Sequence, residues 1–204
     1  MFRGGLVVEL AQGLLLAVVA VLTAWSGYQA ALLNTQSAIS YGTAQSLRSQ
    51  SQSASTLAGQ QMLYDATTFS TWLLAADSGN QQLMEFIERR FRPEFKVAFD
   101  AWIATDPQHN PAAAPGPSAM PEYHNANLDK ASALDRSALA AFNDGNHQRD
   151  RADEYVRTTV LLAVVLFLTA LSQRFDIAFV RVAILILAIA VFGFSAYTVA
   201  TIDR

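Results

Sequence analysis

The side chains able to do chemistry gather in one stretch of the chain. Between Glu88 and His124 lie Arg89, Arg90, Arg92, Glu94, Asp100, Asp106, His109 and Glu122, interleaved with Phe91, Phe95, Phe99 and Trp102. Arginine forks match carboxylates in a planar, two-bond geometry. Two arrangements of Arg90, Arg92, Glu94, Glu122 and His124 therefore suit the pattern. They could surround a small-ligand or ion pocket lined by the aromatic rings, or they could fasten a proline-rich loop onto an aromatic core. The second arrangement is preferred, because Asp-Pro and Met-Pro-Glu segments are ordinary loop fasteners. Asp106, His109, Glu122 and His124 are also residue types that bind divalent metals. They lack a paired histidine spacing on a helix, so no metal and no cofactor is expected.

Other chemistries find no footing. There is no cysteine, which excludes a disulfide framework, a thiolate metal site and a cysteine nucleophile. No glycine-rich phosphate loop, nucleophile elbow or H-E-x-x-H string occurs. The serines from Ser46 to Ser55 repeat along a helix face without a nearby base. A net charge of −3 argues against a nucleic-acid partner, which wants a basic surface. No catalytic residue is assigned, and an enzyme is the least favoured class.

A second polar group stands inside apolar sequence: Glu9 and Gln12 near the start of the chain and Arg181 near its end. An ionisable group within a membrane crossing is costly and marks an ion path or an interhelical partner. Glu9 lies about one turn inside the boundary, so a Glu9–Arg181 pair across a helix bundle is the expected arrangement.

These residues must be positioned by helices. Only 15% of the 204 residues are charged and 52% are hydrophobic, whereas an ordinary soluble domain carries about 25% charged residues. The apolar excess is concentrated in Leu6 to Leu33, Thr158 to Ser172 and Ile177 to Ile202, each within reach of the ~20 residues that span a hydrocarbon core. Trp25 and Tyr28 suit a far interface. The first run is long for a leader and lacks an A-x-A site, so a retained anchor is expected. The four residues Gln173 to Asp176 force the last two runs into an antiparallel hairpin. Arg157 would snorkel to the headgroups. Arg3, Arg174 and Arg181 fall on one side, which the positive-inside rule makes cytoplasmic. The amino terminus and hairpin turn would then be inside, with the large domain and Arg204 outside.

The expected fold class is all-α: three transmembrane helices, with a helical hairpin stalk and a short helical cap between the first and second crossings. Residues 1–33 form the first crossing, 34–156 the extramembrane domain and 157–204 the membrane hairpin. Within the domain the stalk covers 34–77, the cap 80–105, the proline-rich loop 106–122 and the return helix 123–156. Ala44, Leu47, Ser51, Ala54, Ala58 and Gln61 alternate at spacings of three and four, a seam for close helix packing. The stripe is read onward through Met62, Ala66, Phe69 and Leu73. Gly79 stops the helix, Asn80 caps the next, and Pro93 opens another. Five of the six prolines lie between Asp106 and Pro121, where no helix can continue. Leu128, Ala131, Leu134, Ala138, Ala141, Phe142, Gly145 and Ala152 give the return helix a face to pack antiparallel on the stalk.

Several strings resemble an uncharacterised family of bacterial three-helix membrane proteins. They are Val21-Leu-Thr-Ala-Trp-Ser-Gly-Tyr-Gln, Arg90-Phe-Arg-Pro-Glu-Phe, Ala98-Phe-Asp-Ala-Trp-Ile-Ala-Thr-Asp-Pro, Met120-Pro-Glu-Tyr, and Arg174-Phe with Val180-Arg-Val-Ala. The resemblance extends over most of the chain. It implies a multi-pass protein of the bacterial inner membrane and carries no activity, substrate or site residue. The turn Gln173-Arg-Phe-Asp176 is less basic than is usual in that family.

Small residues carry the functional expectation. Thr23, Gly27 and Ala31 repeat every four residues, as do Ala20 and Ala24, which suits close helix contact in lipid. A self-associating scaffold or interaction protein is therefore expected, a homo-oligomer in the bilayer with room for an unidentified membrane-protein partner. One alternative is an oligomeric channel past Glu9, Gln12, Thr23, Ser26 and Gln29. From Gln12, Thr23 lies about 20° round the helix, but Ser26 and Gln29 rotate steadily away. Another is an extracytoplasmic ligand sensor acting through a partner.

Overall fold

The computed structural model describes residues 2–175 and 177–202, with side chains from Glu9 onward except that of Ala178. Asp176, Arg204 and the side chain of Arg3, which entered the orientation argument, lie outside what is described. Five α-helices carry the chain: α1 (Phe2–Asp77), α2 (Gln81–Glu88), α3 (Pro93–Ile103), α4 (Ala126–Ser172) and α5 (Ala178–Ile202), with a short 3-10 turn at Pro117–Ala119. The described residues contain no strand. Three of these helices, α1, α4 and α5, are long and apolar enough to cross a membrane.

Local chemistry explains where each helix ends. α1 runs uninterrupted because no proline or helix-ending motif intervenes before Gly79. Gly79 then adopts φ +68°. Its N–H bonds Ala76 O at 3.1 Å and that of Asn80 bonds Ala75 O at 2.9 Å, the Schellman pattern that closes a helix with glycine in the left-handed region. Asn80 Oδ1 accepts from the Leu83 N–H at 3.0 Å, capping α2. α2 stops at Glu88, short of Arg92, because the residue before Pro93 is driven into extended backbone; Arg92 has ψ 147°. Asn125 Oδ1 accepts from Asn127 N at 3.0 Å and Leu128 N at 3.3 Å. This cap starts α4 at Ala126, later than the Tyr123 expected from sequence, and leaves Tyr123 and His124 on the preceding loop.

By internal contacts the chain divides into two units, Met1–Thr43 with Ala140–Arg204, and Ala44–Leu139. In each, α1 lies antiparallel to α4 along a seam of seven-residue repeat. Ala30, Ser37, Ala44, Ala58, Asp65 and Trp72 are buried on α1, with Ser51 half-buried in the same register. Ala131, Ala138, Gly145 and Ala152 occupy the matching positions of α4 and are all buried. A 3.5-residue period keeps one face turned to its neighbour. Side chains this small let backbones approach, and hydroxyls reach opposite carbonyls. Ser51 Oγ donates to Ala131 O at 2.8 Å and Ser37 Oγ donates to Gly145 O at 2.8 Å.

The stripe expected at Ala44, Leu47, Ser51, Ala54, Ala58 and Gln61 coincides with this seam. Of its continuation only Phe69 is covered, half-buried against the aromatic core. Met62, Ala66 and Leu73 are exposed, while the seam proceeds through Asp65, Trp72 and Ala75. The strict seven-residue register holds, and a carboxylate in it breaks the apolar pattern that sequence reading follows.

In the unit formed by residues 1–43 and 140–204, Val19, Leu162, Val165 and Ala188 form one buried cluster, and Ala30, Leu33, Ala152, Tyr155 and Ile202 another. At Gly145 the ring of Tyr41 from α1 occupies the space a side chain would take. A Cβ there would lie 2.8 and 2.9 Å from Cε1 and Cδ1 of Tyr41, whose hydroxyl bonds Asn146 Oδ1 at 2.7 Å. Gly145→Val is expected to destabilise this contact by about 1–3 kcal/mol, as overpacked cores do. Thermal melts of helicity in detergent would check it.

Candidate functional site

In the unit spanning Ala44–Leu139, a charged knot and an aromatic wall meet. Asp65, at a seam position of α1, is 2% exposed. Arg92, held extended by Pro93, aims its guanidinium at it. Nε donates to Oδ1 at 3.0 Å and Nη2 to Oδ2 at 2.8 Å, a two-bond fork. The third arm, Nη1, donates to Glu94 Oε2 at 2.7 Å, and the Tyr123 hydroxyl donates to Asp65 Oδ2 at 2.9 Å. Three segments remote in sequence, around Asp65, Arg92 and Tyr123, thus meet at one carboxylate, which suits a fastening role for these groups.

Titration in the knot follows from these bonds. The Asp65 hydrogen bond holds the Arg92 guanidinium above its ordinary pKa, against the opposing effect of burial. Burial, then the Asp65 hydrogen bond and charge, push the Tyr123 phenol above 10.0. A phenol that keeps its proton longer folded than unfolded contributes stability that is complete below the unfolded pKa and lost as pH rises through the folded value. Stability should therefore decline above about pH 10. Tyr123→Phe is expected to cost about 1 kcal/mol at neutral pH and to make that decline shallower. Chemical denaturation of both proteins at neutral and alkaline pH is the measurement.

Beside the knot, rings pack edge to face. Phe69 lies edge-on to Trp102 at 5.1 Å, Trp72 edge-on to Phe99 at 4.9 Å, and Phe91 edge-on to Phe95 at 5.0 Å between centroids. Both buried indoles are satisfied: Trp72 Nε1 donates to Glu88 Oε1 at 2.9 Å and Trp102 Nε1 to Ala114 O at 2.7 Å. Through Ala114 and Met120 the proline-rich segment docks on this core. Outside the rings opens a cleft of about 740 Å3, walled by Trp72, Phe99 and Trp102 and rimmed by Asp77, Glu88, Asp100 and Asp106.

Only part of the cluster expected from sequence comes together here. Arg92 and Glu94 join the knot. Arg90 instead folds over the Phe86 ring, 3.4 Å from its centroid, and donates to Phe86 O. Glu122 is exposed, and His124 pairs with Asp129 at 2.8 Å. His109 pairs with Asp106 at 3.0 Å, so the two loop histidines sit on separate carboxylates. No group of three or more histidine or acidic side chains able to hold a metal ion occurs among the described residues. Asp65 and Tyr123, the centre of the knot, escaped the sequence reading. The signal for Asp65 was its seven-residue spacing from Ala58 and Trp72.

The polar group of the other unit also differs from expectation. Arg181 Nη2 donates to Gln12 Oε1 at 3.2 Å, and Gln12 Nε2 donates to Ser172 Oγ at 3.1 Å. Among the described residues Arg181 forms no ion pair with Glu9, which is exposed and shares a polar recess with it. The neutral amide of Gln12, 3% exposed, accepts from one arm of the guanidinium without burying a second charge, while Arg181 Nε is buried with no protein partner among the described residues. Of the small residues, Ala20, Ala24, Gly27 and Ala31 are exposed and Thr23 is half-buried. α1 turns Val19, Ser26, Ala30 and Leu33 to its own chain instead. Comparison with family models, curated proteins and solved structures found no match for this chain.

Proposed function

We propose that the chain is a non-enzymatic multi-pass membrane protein that self-associates through its first crossing and acts as a scaffold or interaction protein. In this reading it belongs to the bacterial inner membrane. Its amino terminus is cytoplasmic, and the stalk and cap stand on the far side as an extramembrane helical hairpin. The observation that carries the proposal is the face left over on α1. Val19, Ser26, Ala30 and Leu33 make the intramolecular seam, so Ala20, Ala24, Gly27 and Ala31 remain free. A Cβ built on Gly27 meets nothing within 4 Å. A second helix can approach there as closely as small residues permit, where packing drives association in lipid.

Mass measurement and cross-linking in mild detergent test this. The native chain is expected to be oligomeric, and Gly27→Leu to weaken association by about tenfold, the equivalent of 1.4 kcal/mol. A strict native monomer without a co-purifying partner would dispose of the idea.

A pore has less support. Gln12 and Ser26 are buried against the chain itself, and Thr23 Oγ1 donates back to Val19 O at 2.7 Å. These groups offer little to a shared water path. A ligand sensor acting through a partner is the second reading, favoured by the aromatic, acid-rimmed cleft.

A further inference from the structure

We propose that the polar recess between the starts of α1 and α5, with the apolar groove that continues it, holds one phospholipid with a zwitterionic primary-amine headgroup. The phosphate lies on Arg181, the ammonium on Glu9 and an acyl chain in the groove. The inference goes beyond self-association and rests only on α1, α4 and α5 being membrane crossings.

Charge is the first argument. The recess, about 340 Å3, is lined by Glu9, Gln12, Gly13, Gln173 and Arg181. Two opposite charges thus share one small space, yet they form no ion pair with each other. Among the described residues the only side-chain hydrogen bond of Arg181 is from Nη2 to the neutral Gln12 amide at 3.2 Å, and its buried Nε has no partner. An unsatisfied group of this kind calls for an explanation. Guanidinium groups recognise phosphate through paired N–H bonds, and most of this fork is left to an acceptor from outside the chain. Glu9 is exposed on the same wall and offers an acceptor to a cation. A phosphate alone would face Glu9, and a cation alone would face Arg181. A ligand that carries an anion and an amine a few atoms apart satisfies both.

Shape is the second. Gln12 also lines a groove of about 420 Å3, where it is the only polar residue among Leu14, Val18, Leu185, Ile189 and Phe192. The groove runs along α1 from Ala11 to Val18, about 10 Å at helical rise. Gln173 belongs to the turn between α4 and α5, and Arg181 to the first turn of α5, so the recess stands at headgroup depth. The groove leads from it toward the hydrocarbon. A polar head followed by an apolar stem is the order of parts in a phospholipid.

The amine type follows from the acceptors. A primary ammonium brings N–H donors to the Glu9 carboxylate and to the Gln173 amide oxygen. A quaternary ammonium brings none, and a glycerol headgroup brings no cation.

The test uses the full chain in mild detergent, mixed in turn with dioleoyl phosphatidylethanolamine, phosphatidylcholine and phosphatidylglycerol. Native mass spectrometry counts the lipid retained per chain. The native chain is expected to keep one phosphatidylethanolamine, bound about threefold tighter than the other two, the scale of one exposed charge contact. Arg181→Gln should weaken all three by about tenfold, whereas Glu9→Gln should erase only the preference. Val18→Trp, which fills the groove from an exposed position, should lower retention of all three. Helicity melts report the folding of each variant. Equal retention of the three lipids by the native chain, a preference that survives Glu9→Gln, or native retention in folded Arg181→Gln would each overturn the assignment. So would Val18→Trp changing the subunit count but not lipid retention, which gives the groove to a second copy. Gly27→Leu should leave lipid retention per chain unchanged, so the site and self-association fail separately.

Discussion

Arg92→Met is expected to destabilise the unit spanning Ala44–Leu139 by about 3–5 kcal/mol, the cost of stranding a buried carboxylate. Asp65 is 2% exposed and spends both oxygens on Arg92, sharing one with Tyr123. With the guanidinium gone, only the phenol remains to satisfy it. Asp65→Leu should cost less, because Arg92 keeps 15% exposure and its bond to Glu94 and can turn toward water. The double variant Asp65→Leu/Arg92→Met removes both charges and should recover most of the loss, since apolar replacement of a buried pair is often neutral or stabilising. Denaturant unfolding of the full chain measures all three proteins. Single variants each within 1 kcal/mol of native, the range of an exposed pair, would mean the knot is solvated in solution.

Phe95→Ala should have an effect of the same size. Phe95 is 1% exposed, packing edge-on to Phe91, Phe69 and Tyr123 with centroids 5.0, 6.3 and 6.1 Å away. Truncating a buried phenylalanine costs about 3–5 kcal/mol, through lost transfer energy and the cavity left behind. Tyr123 links this core to Asp65, so the loss should not simply add to that of Tyr123→Phe. A double-mutant cycle should return at least about 0.5 kcal/mol of coupling, as contacting residues do. Additive losses, or Phe95→Ala melting within a degree or two of native, would contradict the packing argument.

What sequence could reveal depended on whether the physics was local. Gly79, Asn80 and Pro93 announced their boundaries because stop, cap and N1 signals act within one turn. The apolar runs and the small-residue seam through Ala44, Ser51 and Ala58 were legible for the same reason. Asp65 was not, since its partners stand 27 and 58 residues away and a lone carboxylate on a helix reads as a solvated face. The intramolecular face of α1 was not legible within its first apolar run. There nearly every residue is apolar, so periodicity cannot separate Val19 and Ser26 from Ala20 and Gly27. The cleft was invisible as a unit because its carboxylates come from the ends of three helices. Asp77 reads in sequence only as the last residue of the stalk.

The seven-residue seam makes α1 and α4 a track with nearly identical ties. Ala44, Ser51 and Ala58 facing Ala131 and Ala138 would pack almost as well after a slide of one repeat, about 10 Å along the helix. Neither alanine nor serine has the shape to forbid it. The fork from Arg92 and the phenol of Tyr123 hold Asp65 at one milestone, and Tyr41 fits only opposite the missing side chain of Gly145. Each unit thus carries its own lock on the register: the Asp65 knot in one, Tyr41 against Gly145 in the other.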